Sequence, residues 1–242
     1  MIKKLFCACI YLYQGSAVRN LQDHTVVDND AARLAAYYCN NNADRIIVFD
    51  QSNTDEEHEL ALDTIKKIAI ACEVPVIGAG NVKRMEDVKK LLYAGCAKAV
   101  LNYSKESNIE ITEEVSQKFG KSKILVSYTD TGSLEAHKDL LKEYVSELIC
   151  LDKNQVKNNT GIPTICSLEK ATPEEAKEIL LTDHVSGLTG NVINDTIEDT
   201  FSQKISLAKE GVLVSACEAA MKWSDFKLNS DQMLPVIVQD YK

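Results

Sequence analysis

The chain has 242 residues, 45% of them apolar and 26% charged, enough for a large core under a polar surface in a single domain. The 27 basic and 36 acidic side chains give a net charge of −9 with no basic block, which excludes the clustered Lys/Arg surface that a nucleic-acid backbone requires. The strongly apolar runs, such as Ile46–Phe49, are strand-sized, which excludes a membrane-spanning helix. Met1–Tyr13 is short and offers no small-residue cleavage site, so it reads as a first strand and not as a signal peptide. The eight cysteines (7, 9, 39, 72, 96, 150, 166 and 217) form no Cys-x-x-Cys pair, and neither they nor the four histidines show metal-ligand spacing. They read as small buried hydrophobes of a reduced, cytoplasmic protein.

In chain order, short β-branched runs alternate with amphipathic helical segments, the pattern of a parallel sheet wrapped by helices. Leu5–Ile10 is the first strand, and a helix over Asn29–Asn41 follows with Asp28 or Asn29 near its cap. Arg45–Asp50 is a buried strand ending in a carboxylate. Glu57–Cys72 then places Leu60, Leu62, Ile65, Ile68 and Ala69 at helical spacing. Val74–Gly78, the helix Met85–Ala94, the strand Ala99–Asn102 and the helix Ile109–Phe119 complete the first half. The second half runs Ile124–Tyr128, helix Ser133–Val145, Leu148–Leu151, Thr164–Ser167, helix Pro173–Leu181, Val185–Leu188 and helix Asp195–Lys209. Eight strands with helical crossovers in this length predict a (β/α)₈ TIM barrel over residues 1–215, with 216–242 as a linker and the start of something further. Only Asp152–Pro163 joins the sixth and seventh strands, and it is polar and rich in turn formers. The barrel is therefore expected to lack its sixth helix and to be thinly covered there, a face that could meet a second copy of the chain.

An internal repeat supports the barrel. Val74-Pro75-Val76-Ile77 matches Ile162-Pro163-Thr164-Ile165, and Met85–Leu92 matches Thr172–Leu180 with a one-residue adjustment. Val100–Asn102 matches Leu188–Asn191 in role, which is what a barrel of two related halves would show.

Phe49-Asp50, Val74–Lys83, Glu86-Asp87 through Ala94-Gly95, and Lys98–Asn102 together resemble the histidine-biosynthesis barrel family, in particular the cyclase subunit of imidazole glycerol phosphate synthase and its sister isomerase. The resemblance implies a TIM barrel with two aspartates facing each other across the mouth, at the ends of strands one and five, as general acid and base. Those positions fall here at Tyr11 and Thr129. Neither is acidic, and no Asp or Glu occurs before Asp23. Asp130 could replace the second only by a one-residue slip that would turn the strand inside out. A phenol at Tyr11 is a poor substitute, with an ordinary pKa of about 10. Asp50, Asp130 and Lys98 remain as weak catalytic candidates.

The resemblance also implies two phosphate cradles made of backbone N–H groups at the ends of strands three, four, seven and eight. Gly80 and Asn81, Asn102, Tyr103 and Ser104, and Gly190 and Asn191 keep parts of them, while strand seven ends Ser167-Leu168-Glu169, with an anion where a phosphate should sit. Gly78 and Gly80 could equally serve a tight turn.

Trp223–Asp231 and Leu234–Asp240 resemble the opening of phosphoribosyl-AMP cyclohydrolase. The implied parent is a larger cyclohydrolase/pyrophosphatase polypeptide, with zinc or magnesium belonging to downstream domains and no cofactor to the barrel. The combined expectation is a degenerate barrel that binds a phosphoribosyl-type molecule or docks to the downstream domains. A working lyase or isomerase using non-standard residues is the alternative.

Overall fold

The computed structural model describes residues 2–218. In chain order the elements are β1 (Leu5–Tyr13), β2 (Ser16–Val18), β3 (Val26–Asp28), α1 (Ala31–Asn40), β4 (Arg45–Asp50), α2 (Asp55–Ala71), β5 (Val76–Ala79), α3 (Met85–Tyr93) and β6 (Lys98–Asn102). There follow α4 (Glu106–Glu110), α5 (Thr112–Phe119), β7 (Ile124–Tyr128), α6 (Gly132–Ala136), α7 (Lys138–Tyr144), β8 (Glu147–Cys150), β9 (Thr164–Ser167), α8 (Pro173–Leu181), β10 (Val185–Thr189), α9 (Asn191–Asp195) and α10 (Thr200–Lys209).

β1 and β4 to β10 are eight parallel strands in sequential order, and β10 pairs back onto β1 through Leu5↔Gly187 and Phe6↔Leu188. This closure is the TIM barrel the strand count predicts. Alternate side chains divide between two cores. Cys7, Cys9, Tyr11, Ile47, Phe49, Ile77, Val100, Leu125, Ile149 and Ile165 fill the barrel, while Ala8, Ile10, Ile46, Val48, Leu101 and Val126 meet the helices. The repeat is visible in this phase: Ile77 and Ile165, matched in sequence, both point inward, on the third and seventh barrel strands.

Several boundaries differ from the sequence reading. β1 runs on to Tyr13, turns at Gln14 (φ +47°) and Gly15 (φ +81°), and returns as the antiparallel β2–β3 hairpin. A two-residue turn with both φ positive is the hairpin type that suits strand twist, so the Gln14-Gly15 pair was the missed signal. The helix read over Ile109–Phe119 is two helices broken at Ile111, and the one over Ser133–Val145 is broken at His137. The last helix divides into α9, a 3-10 turn and α10. The cap of α1 is Asp30, whose carboxylate accepts from Ala32 and Arg33 N–H.

Residues 152–163 hold only a 3-10 turn, Lys153–Gln155, so the sixth helix is absent. The thin covering expected there is not observed. Val156 and Ile162 fold down to 3% and 6% exposure, His184 Nε2 bonds the Val156 carbonyl at 2.6 Å, and the strand thiols of Cys150 and Cys166 are fully buried. A loop with two apolar anchors shields the strands there as a helix would. No helix among the described residues is long and apolar enough to cross a membrane.

Candidate functional site at the C-terminal barrel mouth

In closed parallel barrels the chemistry sits where the strands end and the loops begin. Tyr11 is there, near the end of β1 and pointing into the barrel. Its ring is 2% exposed and stacks on Phe49 from β4, with centroids 5.4 Å apart and planes 15° apart. Its hydroxyl donates to Glu169 Oε1 at 3.2 Å, from the loop after β9. Burial, then the neighbouring Cys9 and Glu169, pushes the phenol far above its ordinary pKa, so it holds its proton at any physiological pH. Burial likewise raises the Glu169 carboxyl. Beneath them the Cys9 thiol meets Thr189 Oγ1 at 2.9 Å, and burial pushes that thiol up to about 11. Thr129, beyond the end of β7, meets Ser104 Oγ at 3.5 Å, its one side-chain hydrogen-bond partner among the described residues. The centre of the mouth is therefore an aromatic pair under a tyrosine–glutamate hydrogen bond, with a hydroxyl at Thr129, the position where the family resemblance leads one to expect an acid.

The remaining sequence candidates are scattered. Asp50 follows the inward-facing Phe49, so it points outward. Its Oδ1 accepts from Ser52 N–H at 2.9 Å and Ser52 Oγ at 2.5 Å, and its Oδ2 meets His58 Nδ1 at 2.6 Å. Burial would raise its pKa, but the bonds from His58 and Ser52 outweigh burial and hold the carboxyl below its ordinary value. Asp130 is exposed, and its Oδ1 accepts from Gly132 N–H at the start of α6. Lys98 begins β6 at the opposite end of the barrel, where it meets Glu147 at 2.5 Å and Glu147 also pairs with Arg45. The three candidates are thus not brought together.

Among the expected cradle residues, Gly80 (φ +92°) and Gly190 (φ +92°) are placed against backbone. A Cβ on Gly80 would run into the Asp50 carbonyl, and one on Gly190 would come within 2.8 Å of the Leu168 carbonyl. Their lack of a side chain serves close chain approach. Asn81 donates to the Ser52 carbonyl at 3.0 Å, and the Asn102 side chain accepts from Ser104 N–H at 2.9 Å. Tyr103 is 2% exposed, with its hydroxyl on Thr112 at 2.9 Å, so it belongs to the outer core. Asn191 is buried, and its Oδ1 has no partner among the described residues. Sequence reasoning missed Phe49, His58 and the placement of Glu169. The only available hint was a histidine eight residues beyond a strand-ending aspartate. No group of three or more His, Cys, Asp or Glu among the described residues is placed to hold a metal ion. The cyclohydrolase-like stretch Trp223–Asp240 lies outside the described residues.

A family profile described as "Histidine biosynthesis protein" matches residues 6–187. The chain is 26% identical over 249 residues to imidazole glycerol phosphate synthase subunit HisF of Staphylococcus saprophyticus, an alignment covering 87% of this chain and 98% of that protein. It is 31% identical over 128 residues to the subunits of the same name from Staphylococcus aureus strains JH9 and Newman, covering 52% of this chain and 51% of each relative.

Proposed function

Because the chain belongs to the histidine biosynthesis protein family, we propose that it is a barrel of that pathway which no longer performs acid–base turnover at its mouth and serves as an accessory domain for ligand binding and docking. The observation that carries this reading is Tyr11, buried, stacked on Phe49 and bonded to Glu169 at the position where the family resemblance calls for an aspartate. A general base must take a proton near the working pH and must face its substrate. Tyr11 does neither, and Thr129 has no titratable group to answer it. Glu169 follows β9, where the resemblance calls for one of the two phosphate cradles, which supports the loss of that anchor as well as of the acids. The relatives are named as subunits of a synthase, which supports a protein partner for this barrel. The resemblance of Trp223–Asp240 to a cyclohydrolase supports reading that partner as a domain joined to the same polypeptide.

The test is turnover of phosphoribosylformimino substrates. The wild-type chain is expected to show no cyclase or isomerase activity above background. The Tyr11→Asp/Thr129→Asp variant should fold and stay near that floor, since general acid–base groups contribute their roughly 10²–10⁴-fold only to a substrate held in register. Measurable wild-type turnover would overturn the accessory reading. Recovery in the double variant alone would show that the phosphate anchor survives.

A further inference from the structure

We propose that Cys39 and Cys72, at the adjoining ends of α1 and α2, form a dithiol site that reduces hydrogen peroxide and closes to a reversible internal disulfide. The proposal is independent of whether the barrel mouth turns over substrate.

The first observation is thiol contact together with access. α1 and α2 pack against each other, Cys39 lies in the last turn of α1, and Cys72 is the C-terminal cap of α2. Both side chains rest on the outer core yet stay partly exposed, and their thiols hydrogen-bond each other. A bridge needs a sulfur separation of about 2 Å, which thiols already in contact reach by small side-chain rotations. Cys72 can follow such a rotation, because its backbone is extended (φ −112°, ψ 130°) and has left the helix.

The second observation is that no other cysteine among the described residues combines contact with access. Cys7 and Cys9 lie inside the barrel, and Cys96 is buried. Burial pushes the Cys9 and Cys96 thiols up to about 11 and about 12. Cys150 and Cys166 face each other from β8 and β9, and hydrogen bonds from Cys166 and then Tyr128 hold the Cys150 thiol at about 7. Both are fully buried, so an oxidant in solution does not reach them. Cys217 is partly exposed, but no second thiol meets it among the described residues.

The third observation divides the labour within the pair. The hydrogen bond from Cys72 and a further one from the Val74 N–H hold the Cys39 thiol below its ordinary value. They outweigh burial, the Glu73 carboxylate and the negative end of α1. The same bond, with burial, pushes the Cys72 thiol upward. The thiolate is the nucleophile, so Cys39 attacks first and Cys72 resolves. Cys39 sulfur bonds to one peroxide oxygen, the O–O bond breaks, and the departing hydroxide takes up a proton and leaves as water. Cys39 is then a sulfenic acid. Cys72 sulfur attacks that sulfur, the S–O bond breaks, and the Cys72 proton leaves with the hydroxyl as a second water. Two thiols and one hydrogen peroxide thus give one disulfide and two waters, and a small cytosolic thiol restores the pair by exchange. Shortly after Cys39, the Asn42 side chain donates to the Glu218 carbonyl and accepts from its N–H, so the bridge ties the corner that holds residue 218.

The experiment treats the full chain, reduced and freed of reductant, with hydrogen peroxide near neutral pH, and maps its peptides by mass spectrometry. A linked Cys39–Cys72 peptide should form first and should be reversed by dithiothreitol. Cys39 should be consumed about tenfold faster than Cys217. Cys72→Ser should stop at the Cys39 sulfenic acid, which dimedone traps, while Cys39→Ser should leave Cys72 unmodified at the same dose. Circular dichroism checks that both variants fold, and the wild-type map decides the matter without them. A first bridge at Cys150–Cys166, dimers linked through Cys217, or Cys39 consumed no faster than Cys217 would overturn the proposal. None of these results bears on the turnover assay, so the two readings fail separately.

Discussion

Gly80 and Gly161 both have positive φ, +92° and +79°, yet they face different surroundings. A side chain on Gly80 meets the Asp50 backbone, whereas one on Gly161 meets nothing within 4 Å. A left-handed backbone alone costs an L-residue about 1–2 kcal/mol. Gly161→Ala should therefore lose about 1 kcal/mol and Gly80→Ala about 3 kcal/mol, measured by urea unfolding. Equal losses would mean that the loop after β5 can retreat from Asp50. Tyr11 carries the corresponding lesson for function. The sequence shows a tyrosine at this position, but the stacking on Phe49 and the bond to Glu169 come from chain segments 38 and 158 residues away.

At the scale of elements, helix α10 closes the ring of helices and is tied to the barrel through one buried lysine. Lys204 is 1% exposed, and its ammonium meets the Asn42 carbonyl at 2.8 Å, Asp44 Oδ1 at 2.9 Å and Ser215 Oγ at 2.6 Å. Asp44 Oδ2 in turn accepts from Phe6 N–H at 2.8 Å, so the helix, the turn before β4 and the first strand share one network. Lys204→Met keeps the length of the side chain but leaves a buried carboxylate without its cation. Breaking a buried pair in this way costs about 3–5 kcal/mol. The variant should unfold earlier in urea by that amount, and a loss below about 1 kcal/mol would mean that Asp44 is served by its other donors. The two split helices show why element boundaries were hard to read. Apolar spacing continues across Ile111 and His137, while the backbone there (φ −120° and ψ 27° at His137) interrupts the helical hydrogen bonding.

For the whole molecule, the end of the barrel opposite the candidate site is closed by charge. Arg45, Lys98 and Glu147 start β4, β6 and β8, point inward, and are each less than one-fifth exposed at the side chain. Burial pushes the Glu147 carboxyl upward, but the hydrogen bonds and charges of Arg45 and Lys98 outweigh it and hold the group below its ordinary value of 4.5. A depressed carboxyl contributes stability that is complete above the unfolded pKa and is lost as pH falls through the folded one. Wild-type stability should thus decline below about pH 4.5. Glu147→Gln should cost about 3 kcal/mol at pH 7 and show a shallower acid decline, because its deficit shrinks as the wild type protonates. Parallel acid limbs for the two proteins would remove Glu147 from the account.

The sequence by itself determined the eight barrel strands, the absent sixth helix and the non-acidic identity of Tyr11 and Thr129, because short β-branched runs and residue identity are local facts. Only the tertiary structure decided what those residues meet. Barrel closure, set by the pairing of β10 with β1, placed Lys98 at the far end and Glu169 over Tyr11. The packing of α2 against β4 brought His58 onto Asp50. A helix's rotation about its axis and the landing point of a loop are fixed by packing between segments distant in sequence, and no spacing within either segment encodes them.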